Sequence, residues 1–514
     1  MSNDQAPSFK FLRDTLWPIF PHEVKRIVKL ATLLLLVCFN YSMLRCMKDT
    51  VVVTASSAAV IPFIKVWTLL PMAVLFTFLY AKISSRLSPL KVFYVITSAF
   101  LAFFLVFAFV LYPAGDAMHL TSLADFLRTV LPKGLSGFIA MIEYWSFTLF
   151  YIIAELWSNI VLSILTWGFI NETTSLKEAP RFYAVLSVAS NIAAIFAGVT
   201  ANIFVSGPFK GDWQLSQQCM VLVIVTSGVV AIGLYHLLSR DDEERPCELG
   251  KEEPKKLKFS LRESFREVQN SAHLRYIAII VVSYFFVINS VEVIWKEQLR
   301  LAYPSPAEFN YYMNSLTAWI GVVSTILGIF VGVLIQRFGW SKTALLTPLV
   351  MLITSLLFFV FIVFKADLLG ITSLLGTTPL AVAVFLGAFQ NCLSKGAKYS
   401  VFDATKEMAF IPLSRQQKIK GKAAIDGILS RFGKSGASFA LQTMIITFGG
   451  LAACTPYATG LMLIVLVGWT AATNRLGAII DKAMRHPSHT TIVHSDVVHD
   501  EQAPAETDGA LATS

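Results

Sequence analysis

Charge is scarce in this chain. Of its 514 residues only 15% are Asp, Glu, Lys or Arg, while 55% are hydrophobic. Soluble domains carry about a quarter charged residues, so an ordinary water-facing surface is excluded. Cysteine is scarce as well. The six, Cys38, Cys46, Cys219, Cys247, Cys392 and Cys454, are scattered. No two stand at metal-ligand or redox spacing, which leaves them as small core residues. Paired acidic clusters and nucleophile constellations are missing, and no histidine is expected within a span, so an enzyme acting on lipid phosphates lacks its machinery. The sequence implies no enzyme, no cofactor and no metal.

What is present is apolar length. Runs of 18 or more apolar residues recur, each long enough to cross a bilayer, and they do not alternate as barrel strands would. The fold class is therefore all-α integral membrane. Twelve spans are predicted, at 27–52, 58–81, 91–112, 138–169, 181–205, 217–238, 275–299, 314–335, 342–364, 377–401, 420–447 and 451–474. The fourth is too long for a simple crossing, so it is tilted or continues into water.

One charged break, Arg-Asp-Asp-Glu-Glu-Arg-Pro followed by Lys-Glu-Glu-Pro-Lys-Lys-Leu-Lys, divides the chain into two six-helix halves. The expected organisation is an N-terminal segment 1–26, a first half 27–238, a basic linker 239–274, a second half 275–474 and a disordered tail 475–514. Residues 259–272 space apolar side chains at helical intervals between charges, as a helix lying on the membrane does. Residues 118–133 form a second candidate. His486, His489, His494 and His499 lie in the tail without a metal-site pattern. The first 26 residues are polar and mixed, and predict neither a cleavable signal nor a transit peptide.

The net charge of +9 does not point to nucleic acid, because the bases flank the membrane spans. With the N-terminus inside, about 29 Lys and Arg fall in cytoplasmic segments and about five (Arg128, Lys133, Lys210, Arg300 and Lys365) on the other side. The expectation is a multi-pass protein of the cell inner membrane with both termini and the linker cytoplasmic.

Eight bases remain, all within predicted spans: Arg45, Lys48, Lys65, Lys296, Lys395, Lys398, Arg431 and Lys434. The acids there are fewer. Glu143, Glu155, Glu292 and Asp426 are the clearest, and Asp49 and Glu297 lie near span ends. A buried charge without a partner is costly, so structural pairing alone tends toward balance. The basic surplus points to negative charge brought by a substrate, and a polyphosphate fits, since Lys and Arg are the usual phosphate partners. The bland alternative is that Arg45 and Lys48 only pair with acids elsewhere.

Arg45 and Lys48 stand at i, i+3 with Tyr41 on the same side of the first helix. Glu292 and Lys296 stand at i, i+4 on the first helix of the second half. Glu155 is on the fourth helix and Lys395 and Lys398 on the tenth, its counterpart. Arg431 and Lys434 are on the eleventh. Transporters of two six-helix halves bind substrate between the halves at mid-membrane. Lys65 either snorkels or pairs with Glu143. Tyr41, Tyr151, Trp157 and Trp295 are candidates to stack on a base, though packing is the commoner role. Gly433-Lys434-Ser435-Gly436 is not a nucleotide-hydrolysing loop, because Ile428 stands where the first glycine belongs and no strand precedes it. Its small residues, with Ala437 and Ser438, suit close helix approach.

Several stretches resemble one family, the nucleotide transporters typified by the ATP/ADP translocases of obligate intracellular bacteria and plastids. They are Leu44-Arg-Cys-Met-Lys-Asp-Thr-Val-Val-Val-Thr-Ala55, Ile61-Pro-Phe-Ile-Lys65, Ala154-Glu-Leu-Trp157 with Trp167-Gly-Phe169, Arg181-Phe-Tyr183, Tyr399-Ser-Val-Phe-Asp-Ala-Thr-Lys-Glu-Met-Ala-Phe-Ile-Pro412, and Lys420-Gly-Lys-Ala-Ala-Ile-Asp426 leading to Gly433-Lys-Ser-Gly436. The resemblance covers most of the chain from 17 to 445 and fails in the linker and tail. It implies a major-facilitator-like fold and nucleotide exchange, with ATP and ADP as substrates. It further implies that two lysines and two glutamates within helices matter for function, and these map onto Lys48, Glu155, Glu292 and Lys434.

Cys46, Ser158, Ala404 and Phe410 depart from the family's pattern, and segment 55–60 is shortened. Members exchange ATP for ADP, import nucleoside triphosphates with protons, or exchange NAD for ADP. The departures leave that choice open. The expected function is an antiporter importing ATP for ADP, with Lys48 and Lys434 on the phosphates and Arg45, Lys395, Lys398 and Arg431 in support. The alternatives are a proton-coupled importer, with Glu155 or Glu292 carrying the proton, or an NAD/ADP exchanger.

Overall fold

Helix boundaries follow local signals. Ser271 accepts the Leu274 N–H at 3.4 Å, Thr378 the Ala381 N–H at 3.2 Å and Ser414 the Gln417 N–H at 3.3 Å, so each caps a helix that starts one residue later. Pro89, Pro306 and Pro379 open helices, where a missing N–H costs nothing. Gly449 closes one in the left-handed region, at φ 79°.

The computed structural model describes residues 19–175, 178–207, 209–243, 261–374 and 376–485. Ten helices among the described residues are long and apolar enough to cross a membrane. They are α1 Pro21–Ala55, α2 Val60–Ser84, α3 Pro89–Leu111, α4 Trp145–Thr173, α5 Ala179–Ser206, α6 Trp213–Glu243, α7 Ala272–Ala302, the element Pro306–Val363, α10 Pro379–Ala409 and α12 Leu451–Arg485. At 58 residues, Pro306–Val363 would be about 87 Å long, far more than a bilayer core needs. It breaks at Gly339, whose φ of 77° and ψ of 171° are non-helical. The break gives α8, 306–338, and α9, 340–363. A further long helix, α11 at 415–448, carries seven charged residues and so falls outside the apolar set. With it, twelve long helices stand among the described residues.

The sequence reading needs adjustment at three places. The fourth span does not continue as one rod. It breaks at Tyr144, φ −95° and ψ 49°, between Ser136–Glu143 and α4. The final helix runs on to Arg485, past the expected boundary at 474. Two histidines do lie in membrane helices: His236 is bonded to Tyr94 at 2.6 Å and His273 to the Ala409 carbonyl at 2.7 Å. Both tie helices together. Helices at Thr121–Val130 and Leu261–Asn270 coincide with the two surface-helix candidates. The N-terminal segment before 19, most of the linker and the histidine-bearing tail lie outside the described residues.

The first and last six helices meet along a seam. Successive crossings put the α1, α5, α7 and α11 C-termini on one side, and the contacts between the two groups run from there to mid-helix. Ala58 N–H donates to Glu297 at 2.8 Å, and Asn202 donates to Ser315 at 2.8 Å. Gly134 lies against the Ile446 backbone, where an added Cβ would be 2.5 Å from the carbonyl oxygen. Further in, α5 and α8 touch backbone to backbone. An added Cβ on Gly198 would be 2.4 Å from Asn314 O, and one on Gly321 would be 2.7 Å from Asn191 O. At the other end, the ion pairs given among the described residues lie within one group, as in Arg181–Glu23 at 2.8 Å in the first and Lys406–Asp426 at 2.9 Å in the second. One side of the molecule is therefore zipped.

Candidate functional site

Mid-membrane charge collects where α1 crosses α7. On α1, Tyr41, Arg45 and Lys48 share a face as expected, and Asp49 follows. Lys48 is buried. Its Nζ lies 3.0 Å from Asp49 Oδ1, 3.2 Å from Glu155 Oε2 on α4, and 3.7 Å from the centre of the Tyr151 ring. The ring shields the ammonium while the two carboxylates neutralise it, which makes its burial tolerable.

Glu292 on α7 is the second centre. Its Oε1 takes Lys296 at 3.0 Å, Lys395 of α10 at 3.1 Å and Arg45 of α1 at 3.3 Å. Lys296 also reaches across to Asp49 Oδ2 at 2.7 Å. One continuous network thus runs Glu155, Lys48, Asp49, Lys296, Glu292, and ends on Arg45 and Lys395. It holds four bases and three acids and joins both halves.

Five of the eight expected site residues, Arg45, Lys48, Glu155, Glu292 and Lys395, meet in this network. The other three do not join it by direct contact. Lys398 pairs with Asp403 at 3.2 Å and lies over the Tyr399 ring at 4.3 Å. Lys434 sits over the Phe285 ring at 4.8 Å. It is solvent-accessible and lies within electrostatic range of Glu155, Lys398 and Arg431. Arg431, one turn away on α11, is also exposed. Among the described residues, no carboxylate lies within ion-pair distance of Lys434 or Arg431. These bases therefore widen the basic field beside the closed network.

Three widened, π-helical turns carry or adjoin these charges: Ile64–Leu69 with Lys65, Ser158–Thr166 just after Glu155, and Lys398–Phe402 with Lys398; a fourth, Ala423–Leu429 with Asp426, lies toward the other end. Such turns re-aim side chains and concentrate at functional sites. A fifth, Phe107–Leu111, lies among apolar residues.

Two expectations are corrected. Lys65 neither snorkels nor pairs with Glu143. Its Nζ bonds Asn289 Oδ1 at 2.9 Å, another link between the halves, and Glu143 instead takes Arg128. Gly436 makes no close approach, whereas Gly433 does: an added Cβ there would be 2.9 Å from the Val282 carbonyl. Trp157 and Trp295 are packed and buried, bonded to the carbonyls of Val37 at 3.2 Å and Val384 at 3.0 Å, so neither is free to stack on a base. Asp49 and Lys296 belong to the network although sequence reasoning left them out of the site. The i, i+4 pairing of Lys296 with Glu292 was a visible signal. Asp49 looked like an end-of-span residue.

The chain resembles known proteins in sequence and in fold. A family model described as TLC ATP/ADP transporter matches residues 2–479. The chain is 37% identical to "ADP,ATP carrier protein 1" of Chlamydia pneumoniae, over 98% of this chain and 100% of that one. It is 41% identical to "ADP,ATP carrier protein 1" of Chlamydia trachomatis serovar D over 92% of each. It is 40% identical to "ADP,ATP carrier protein 1, chloroplastic" of Arabidopsis thaliana, over 89% of this chain and 75% of that one. Among solved structures it resembles a bacterial homologue of the iron transporter ferroportin in the inward-facing state, with TM-score 0.54 and 13% identity, over 87% of this chain and 99% of that one. That likeness is one of fold.

Proposed function

The chain belongs to the TLC ATP/ADP transporter family, and from that premise we propose that it exchanges ATP for ADP across a bacterial inner membrane by alternating access. Lys48 and Lys434 hold phosphates, with Arg45, Lys395, Lys398 and Arg431 in support. Glu155 and Glu292 hold bases while the site is empty, and substrate phosphates compete for them. Both termini are cytoplasmic in this reading, so the zipped side faces outward and the site opens inward. The two halves that rock are 27–238 and 275–474.

The observation that carries the proposal is the network bridging the halves, together with the exposed bases beside it. A polyphosphate supplies the negative charge the site is short of. It also gives each base a new partner as the halves part, so binding and rocking are coupled through differential contacts. An empty carrier must instead pull buried pairs apart unaided, which keeps it slow and makes exchange the favoured mode.

The test is uptake of labelled ATP into proteoliposomes, with and without internal ADP and with and without an uncoupler. Exchange predicts uptake that needs internal ADP and ignores the uncoupler. Uptake that ignores ADP and collapses with the uncoupler would overturn it and make Glu155 and Glu292 proton carriers.

A further inference from the structure

The two network helices carry mirrored charge pairs. α1 has a base then an acid at i, i+4, Arg45 and Asp49. α7, first helix of the second half, has an acid then a base at i, i+4, Glu292 and Lys296. The registers match: Asp49 stands six residues before Ala55, the end of α1, and Lys296 six before Ala302, the end of α7. The pairs therefore meet head-on, Arg45 with Glu292 at 3.3 Å and Asp49 with Lys296 at 2.7 Å. Each half supplies the other's counter-ion.

The Asp49–Lys296 contact lies on the zipped side of the other. Asp49 is 1% exposed and Lys296 4%. Polar contacts between α1 and α8 flank it: Cys46 Sγ with Thr317 Oγ1 at 3.2 Å, and Asn310 donating to Thr50 at 2.9 Å. Asp49 keeps Lys48 as a partner on its own helix, whereas Lys296 would leave with α7. Opening this side of the empty carrier thus strips Lys296 of one of its two carboxylates in a low-dielectric interior, which disfavours opening. A phosphate beside Lys296 replaces the lost partner.

We propose that Asp49 is a positioning residue which, through Lys296, latches the halves of the empty carrier together and so makes transport depend on a counter-substrate. This rests on the exchange reading above.

The test compares wild type, Asp49→Asn, Lys296→Met and the double variant in proteoliposomes with and without internal ADP. Wild type must first need internal ADP; if it does not, the exchange reading falls and the latch with it. Given that dependence, each variant is expected to cut the ratio of ADP-loaded to empty uptake by about tenfold, a usual size for coupling between sites, mainly by raising uptake into empty vesicles. A merely structural residue would lower both uptakes by one factor and leave the ratio alone, and that result overturns the proposal. A single substitution takes one of two partners from a buried charge and risks misfolding, whereas the double removes both charges. The double variant then decides. A double that assembles and keeps the wild-type ratio overturns the latch, as does a double that fails to assemble, since the pair would then be a folding element.

Discussion

Glu292 holds Lys395 at 3.1 Å with the same oxygen that takes Lys296 and Arg45. One carboxylate thus gathers bases from three helices, and among the described residues it is the one ion-pair partner of both Arg45 and Lys395. Replacing it by Gln leaves those bases facing one another. Removing one partner from a buried pair costs about 3–5 kcal/mol, so Glu292→Gln should melt well below wild type. It should abolish uptake while ATP binding is kept or tightened, because the competitor for the bases is gone. Thermal unfolding and ATP binding on the same preparation check this.

Lys48 and Lys434 should separate binding from stability. Lys48 is buried between two carboxylates and a ring, so Lys48→Ala should lower the melting temperature and remove uptake. Lys434 is accessible, has no ion-pair partner among the described residues, and lies over the Phe285 ring at 4.8 Å. Lys434→Ala should leave the melting temperature unchanged and raise the KM for ATP about tenfold or more, the effect of one charge-assisted bond of about 1.5–3 kcal/mol. Wild-type uptake in both variants at equal expression would remove these lysines from the site.

The zipped seam depends on missing side chains. Gly198→Val places a Cβ where Asn314 O leaves only 2.4 Å. Each half keeps its own packing, so the protein should still fold and bind ATP, but this side should no longer close. Uptake is expected to be lost, with labelling of single cysteines along α5 from that side increased. Normal uptake would show that the α5–α8 contact plays no part in the cycle.

Trp157 and Trp295 should behave as structural residues. Replacing either by Phe removes one buried hydrogen bond, a loss of about 1 kcal/mol. The melting temperature should fall and the KM for ATP should stay as it was. A raised KM with unchanged stability would return them to the base-binding candidates.

Composition and apolar run length revealed the membrane class and placed most spans, because burial in lipid leaves a long, unbroken signature. The breaks at Tyr144 and Gly339 left weaker traces, since a single residue's dihedral angles decide them. Helical spacing identified the face carrying Arg45 and Lys48. It did not identify their partners, which are fixed by packing between segments distant in sequence. Lys65 shows this: its partner, Asn289, is 224 residues away and uncharged. Asp49 was undervalued for a related reason. A carboxylate next to a lysine near a span end reads as interfacial until α7 is seen to bring Lys296 against it.

The central claim is that the basic cluster holds the phosphates, and equilibrium binding tests it most directly. ATP and adenosine would be titrated into purified wild type and into the Lys48→Ala/Lys434→Ala double variant. The account predicts that wild type binds ATP far more tightly than adenosine, and that the double variant loses at least about 100-fold in ATP affinity, some 2.7 kcal/mol, with adenosine unaffected. ATP binding of wild-type strength in the double variant would contradict it.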